Sequence, residues 1–176
     1  MKKIQKGSIK KIEKIALDTF ALEINSNVSE AHAGQFISIL CPPKTLRRPF
    51  SIKGFKDGIV EVFFKLKGEG TNYIKSLKVG DSIDFMGPLG QGFKIQNKKS
   101  LLVGAGIGIA PMLFLKDELN NANIENFLIS GFKAWDEAIT GSDKTVTGGS
   151  VIDFLPEIIE KFKPEVIYSC GPEIVL

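Results

Sequence analysis

Two short phrases, far apart in the chain, hold the residue types that could handle a dinucleotide. Arg48-Pro49-Phe50-Ser51 sets a guanidinium, an aromatic ring and a hydroxyl side by side on an expected strand. A guanidinium offers a fork of donors to phosphate. Phe50 can cover the face of a flat ring, and Ser51 can hydrogen-bond at its edge, which in a flavin lies near the reactive N5. Pro49 lacks an N–H and so stiffens an edge strand without leaving a donor unpaired. Standing alone, the tetrapeptide is better read as an edge strand with incidental polar ends. The second phrase, Gly104-Ala105-Gly106-Ile107-Gly108-Ile109-Ala110-Pro111, lies where Leu101-Leu102-Val103 turns into a helix. Glycines there let a second dinucleotide approach the backbone, and Pro111 suits a helix's first turn. The phrase departs from the G-x-G-x-x-G fingerprint, because Ile109 and Pro111 occupy the positions of a third glycine. No acidic residue ends the next strand either, where Ser130-Gly131-Phe132-Lys133 stands. An empty strand-to-helix turn is the plainer alternative.

Two further phrases add to the set. Gly68-Glu69-Gly70-Thr71 opens a helix with free N–H groups and a positive dipole end, where an anion can sit, and Thr71 is placed to cap it. An N-capped helix that binds nothing has the same appearance. Cys170-Gly171-Pro172 follows the last α/β strand, at the end where open parallel sheets take ligands. A ring can pack on so small and soft a side chain, although buried structural cysteines are more frequent. His32 has no second histidine or nearby cysteine to complete a metal site. Trp135 is expected at a surface or domain edge, and Asp136, Glu137, Asp143 and Asp153 show no pairing that would mark acid–base work.

The elements that must position these residues fall into two groups. Alternating or aromatic-rich runs at 8–15, 20–24, 35–40, 50–55, 59–66 and 82–85 read as strands, with turn signals at Gly34, Pro42-Pro43, Asp57-Gly58, Gly80-Asp81 and Gly87-Pro88. Such spacing predicts a small six-stranded antiparallel barrel, interrupted by one helix over 71–77. Strand 100–103, helix 109–119, strand 124–129, helix 151–162 and strand 165–169 then follow the rhythm of a parallel α/β sheet. The polar stretch 91–99 is a plausible seam, which divides the chain into 1–97 and 98–176. The 176 residues are 43% hydrophobic and 24% charged, with a net charge of +3, as in ordinary soluble proteins. Lys2, Lys3, Lys6, Lys10 and Lys11 alternate with apolar residues as on the solvated face of a strand, so no nucleic-acid partner is expected. No apolar run spans a bilayer and no apolar segment follows the basic start, which excludes a membrane helix and argues against a secretory signal. Cys41 and Cys170, the two cysteines, point to a reducing compartment, so a cytoplasmic location is expected.

Taken in order, the phrases resemble the ferredoxin-reductase superfamily, a flavin-binding barrel followed by a nicotinamide-binding α/β domain. Gly34-Gln35-Phe36 is similar to its Pro-Gly-Gln-Phe strand entry, with Ala33 in place of proline. Gly68-Glu69-Gly70-Thr71, Gly87-Pro88-Leu89-Gly90-Gln91-Gly92-Phe93 and Cys170-Gly171-Pro172-Glu173 are most similar to the electron-transfer subunits of two-component, NAD-linked dihydroorotate dehydrogenases. The resemblance implies that Arg48, Pro49, Phe50 and Ser51 hold FAD. Phe63, Phe64 and Lys65 would line it, Lys65 standing where the family often has arginine, and Gly70 and Thr71 would take the diphosphate. Gly104, Gly106, Gly108, Pro111, Cys170, Gly171 and Pro172 would shape the nicotinamide pocket, with Ser51 and Cys170 beside the reacting atoms. It further implies NAD(H) as substrate, an FMN-containing dihydroorotate dehydrogenase catalytic subunit as partner, and a role in pyrimidine biosynthesis.

One departure stands out. The family carries a 2Fe-2S cluster on four cysteines in a C-terminal extension, and two distant cysteines supply no such ligand set. With Ile174-Val175-Leu176 standing where a helix should start, a C-terminally shortened nicotinamide domain is expected. A flavin reductase, an electron-transfer subunit of a ferredoxin-, sulfide- or hydrogenase-linked complex, and a non-catalytic FAD-binding remnant remain open. So does the choice of NADH or NADPH, with Lys133 placed either to meet a 2′-phosphate or simply to be solvated.

Overall fold

In the computed structural model, residues 4–172 are described; Lys2, Lys3, Glu173 and Ile174-Val175-Leu176 lie outside them. Six strands form the first lobe: β1 (Ile4–Ala16), β2 (Thr19–Asn25), β3 (Phe36–Ile39), β4 (Arg48–Lys56), β5 (Ile59–Lys65) and β6 (Ser82–Leu89). They close into a barrel in the order β1-β2-β5-β4-β3-β6, with every pairing antiparallel. Alternation is the cause: Leu22, Ile24, Ile37, Ile39, Ile52, Val60, Val62, Ile83 and Phe85 are buried. Each such side chain contributes roughly 1.5–3 kcal/mol. Asp57 and Gly58, both at positive φ (50° and 78°), make the tight β4–β5 hairpin. Helix α1 (Glu69–Ser76) is anchored by the fully buried Ile74.

The second lobe is a parallel sheet in the order β10-β7-β8-β9, built from β7 (Ser100–Ala105), β8 (Asn126–Phe132), β9 (Lys144–Thr147) and β10 (Val166–Cys170). Every residue of β7 is buried, as expected of a central parallel strand covered on both faces. Leu101, Val103 and Ile129 pack toward α3 (Leu155–Phe162), with Ile158 among them. Leu102, Leu128 and Tyr168 face the other way, into a core shared with α2 (Ile109–Asn121) and the barrel. Helix α2 is buried all round from Ile109 to Leu115 because it is sandwiched between sheet and barrel. The segment between the lobes is pinned where the Tyr168 hydroxyl donates to the Lys94 carbonyl at 3.0 Å and accepts from the Gln96 amide at 3.1 Å.

Three local expectations are corrected. Strand β6 runs through Gly87-Pro88 instead of ending at Phe85; Gly87 sits at a register irregularity against β3, where a Cβ would lie 2.7 Å from Ile37 Cγ2. The expected helix 151–162 is a 3₁₀ turn over Val151–Phe154 followed by α3, with Pro156 in the first turn of the helix. Strand β9 has no counterpart among the sequence-based expectations; it is a four-residue edge strand on which only Val146 is buried. Among the described residues, no helix is long and apolar enough to cross a membrane.

Candidate functional site

The start of β4 lies beside the end of β5, because these strands are antiparallel with Ile52 opposite Val62. That register brings Arg48, Pro49, Phe50 and Ser51 next to Phe63, Phe64 and Lys65, and the chain continues from Lys65 into Gly68-Glu69-Gly70-Thr71. Across the seam, the sheet presents the C-terminal ends of its strands: Gly106 and Gly108 after β7, Lys133 after β8, and Cys170-Gly171-Pro172 at and after β10. All of these residues line one cavity of about 1370 Å³. Single small-molecule pockets reach about 1,000 Å³, so this one has room for more than a single compact ligand. Gly104 and Pro111 do not line it.

The cavity lining combines aromatic rings and cations. Phe64 is buried, stacked on Phe20 with centroids 5.5 Å apart and met edge-on by Phe50 at 6.2 Å, so the half-buried Phe50 has a fixed backing. Five cations, Lys44, Arg48, Lys65, Lys67 and Lys133, line the cavity against two carboxylates, Glu69 and Glu137. Both carboxylates are committed, Glu69 to Lys44 at 2.6 Å and Glu137 to Lys65 at 2.9 Å. The Lys44 ammonium, through its hydrogen bond and its charge, holds the exposed Glu69 carboxyl below the usual carboxylate range. Arg48, Lys67 and Lys133 have no carboxylate partner among the described residues. The Arg48 guanidinium donates to the carbonyls of Leu46 and Arg47, at 3.1 and 3.4 Å, which leaves donors for a bound anion.

Thr71 is the third residue of α1, and Gly68 caps the helix. The Thr71 hydroxyl accepts from the amides of Lys67 and Gly68 at 3.0 and 3.3 Å and donates to the Gly68 carbonyl at 3.0 Å. Those two amides are thus taken, and the first-turn donors left for an anion are the amides of Glu69, Gly70 and Thr71. Gly70 is buried, and a Cβ there would come into contact with Arg48 Cγ and Cys41 Cβ at 3.4 Å.

The three glycines after β7 have different roles. Gly106 has φ +54° and nothing within 4 Å of an ideal Cβ, so it is the one that leaves open space at the cavity. A Cβ at Gly104 would lie 2.9 Å from Ile109 Cα, which makes that position a strand-to-helix packing contact. A Cβ at Gly108 would overlap the Cys170 carbonyl, 2.6 Å from its carbon and 2.9 Å from the Gly171 nitrogen. Gly108 therefore lets α2 and the end of β10 meet backbone to backbone. The Cys170 thiol is half-buried at this junction, and burial pushes its pKa up, so it is a neutral thiol at neutral pH.

Sequence reasoning missed Lys44, Glu69 and Glu137 as cavity residues, along with Ile107 and the Gly149-Ser150-Val151 turn. The glycine pair of Gly148-Gly149-Ser150 is a turn signal, but nothing local places that turn on the same cavity as Cys170. Glu137 pairs with a residue 72 positions away, and no sequence pattern signals that. Among the described residues, no group of three or more His, Cys, Asp or Glu side chains is placed to hold a metal ion.

Comparison with known proteins gives consistent findings. The oxidoreductase FAD-binding domain family matches residues 6–93. The dihydroorotate dehydrogenase B (NAD(+)) electron transfer subunit of Caldanaerobacter subterraneus is 32% identical, with 93% of this chain aligned to 70% of the relative. The protein of the same name from Fusobacterium nucleatum is 33% identical, over 97% of this chain and 76% of the relative. Among solved structures, an NADH-dependent reduced ferredoxin–NADP oxidoreductase superposes with a TM-score of 0.85 at 30% identity, over 96% of this chain and 68% of that one. Phthalate dioxygenase reductase, 22% identical, shares the fold with a TM-score of 0.81 over 97% of this chain and 61% of its own.

Proposed function

Because the chain belongs to the oxidoreductase FAD-binding family, among the electron-transfer subunits of dihydroorotate dehydrogenase B, we propose that it transfers electrons between FAD and NAD(P)H in pyrimidine biosynthesis. Its partner on this reading is the FMN-containing catalytic subunit of dihydroorotate dehydrogenase. The observation that carries the reading is a cavity at the seam, where Arg48–Ser51 of the barrel faces Gly106, Gly108 and Cys170 of the sheet.

The residues present suit the two cofactors. An aromatic side chain backed edge-on by a second ring, three cations without carboxylate partners among the described residues, first-turn amides and the open space at Gly106 match a ring system joined to phosphates. When bound, FAD supplies the chemistry of accepting a hydride and passing its electrons on singly. The chain's own task is positioning. Arg48 and the first turn of α1 hold a diphosphate, Phe50 backed by Phe64 supports a ring, and the Ser51 hydroxyl is at hand for the ring's edge. Gly106 lets a second dinucleotide reach the backbone of the sheet, and the neutral Cys170 thiol offers an apolar, uncharged wall where the two ligands meet. Shared packing of α2 against sheet and barrel keeps these halves in one geometry, the condition for a bimolecular step to behave as an intramolecular one.

The test is the visible spectrum of the purified protein, supplied with FAD, before and after anaerobic addition of NADH or NADPH. Bleaching of a bound-flavin spectrum is the expected result. A protein that takes up no FAD, or holds FAD that neither nucleotide reduces, would overturn the reading.

A further inference from the structure

The short turn Trp135–Glu137 after β8 belongs to the sheet, yet it is fastened to the barrel at two points. The Leu17 amide, in the β1–β2 turn, donates to the Asp136 carbonyl at 2.6 Å. Next to it, Lys65 Nζ meets Glu137 Oε2 at 2.9 Å, with the two side chains 31% and 22% exposed. Lys65 ends β5 and Glu137 comes from the opposite lobe, and both line the central cavity. A cavity furnished for anionic ligands therefore has one of its cations neutralised from across the seam.

We propose that Glu137 is a positioning residue that acts through Lys65: it holds the ammonium to the interlobe contact and away from the anionic cofactor, so that interlobe fastening and cofactor affinity oppose each other. This rests on the flavoprotein reading above. The physical argument is charge competition. A carboxylate and a diphosphate sharing one cavity both attract the same ammonium, and like charges repel. Removing the carboxylate leaves Lys65 uncompensated and makes the cavity more positive by one charge. Affinity for a cofactor that carries negative phosphates should therefore rise, by about 2- to 5-fold at low ionic strength given that the pair is only partly buried. A residue that merely braces the fold predicts the opposite sign, because loosening the lobes weakens binding.

The experiment is a double-mutant cycle on Glu137→Gln and Lys65→Gln in the full chain, with FAD titrated by quenching of flavin fluorescence at low and at high salt. Glu137→Gln should tighten FAD binding, the gain should shrink in high salt, and it should be clearly smaller when Lys65 is already Gln. Glu137→Asp, which withdraws the carboxylate by one methylene, should move affinity in the same direction and serves if the glutamine variant folds poorly. Unchanged or weaker FAD binding in the Glu137 variants would refute the proposal, as would an equal gain in the Lys65→Gln background. Failure of the flavoprotein reading is separately visible, since the unaltered chain would then bind no FAD.

Discussion

Replacing Gly108 with alanine separates the two halves of the site. The new Cβ would lie 2.6 Å from the Cys170 carbonyl carbon, whereas carbon atoms settle at about 3.5–4.0 Å. Either the end of β10 or the start of α2 must retreat by about 1 Å. Neither is a flexible side chain that can swing aside, because the opposed atoms are backbone. Overpacking of this kind costs about 1–3 kcal/mol, so the chain should fold with a lowered melting temperature. Helix α2 is clamped between sheet and barrel whereas β10 is an edge strand, so the displacement falls on Cys170 and Gly171, on the sheet side of the cavity, and leaves Arg48–Ser51 and α1 in place. A misplacement of about 1 Å can slow a positioned reaction by about 100-fold. FAD affinity should therefore stay within about 2-fold of the parent, while the rate of anaerobic flavin bleaching by NADH falls by about 10- to 100-fold. Stopped-flow absorbance measures the rate and fluorescence titration measures the affinity. Gly54→Ala is the control, since that position does not line the cavity and a Cβ there meets only the Glu61 carboxylate at 3.4 Å. Unimpaired bleaching in Gly108→Ala, or an equal loss in Gly54→Ala, would refute the reasoning.

Two further outcomes follow from the cavity and its surroundings. Arg48 has spare donors and no carboxylate partner among the described residues, so Arg48→Gln should weaken FAD binding by about 10- to 100-fold, the worth of a charge-assisted hydrogen bond. Its melting temperature should barely move, and isothermal titration showing native affinity would contradict the assignment. At alkaline pH, burial raises the Cys41 thiol, with Arg48 pulling the other way, and burial raises Cys170 likewise. A raised folded-state pKa means that the folded chain holds the proton more tightly. That stabilisation is full below the unfolded thiol's value of about 8.5 and is lost as pH rises through the folded one. Urea midpoints should decline above pH ~8.5, less steeply in Cys41→Ala, and equal slopes in parent and variant would argue against burial as the cause.

Much of the architecture is written in local patterns. Alternating runs such as Ile59–Lys65 and the Asp57-Gly58 turn mark barrel strands, because a period of two buries one face. The unbroken apolar run of β7 followed by Gly104–Pro111 marks a covered parallel strand turning into a helix. Where burial is slight the pattern fades: β9 is Lys-Thr-Val-Thr with one buried side chain, and an isolated edge strand of that kind leaves no periodicity to read. Patterning and turn signals are enough to indicate a barrel and a parallel sheet, because these depend on residue type and short spacing, whereas the ligand classes rest on the resemblance that the ordered motifs carry.

Tertiary structure decided what each residue meets. It divides the glycines after β7 between open space at Gly106 and backbone contact at Gly104 and Gly108. It commits the Thr71 hydroxyl to its own turn and joins Glu137 to Lys65 across the seam. A glycine looks the same in sequence whether a ligand or a carbonyl lies above it, and a charge carries no record of a partner 72 residues away. Only closing the barrel and docking α2 between barrel and sheet bring those atoms within a few ångströms, where sterics and Coulomb forces act.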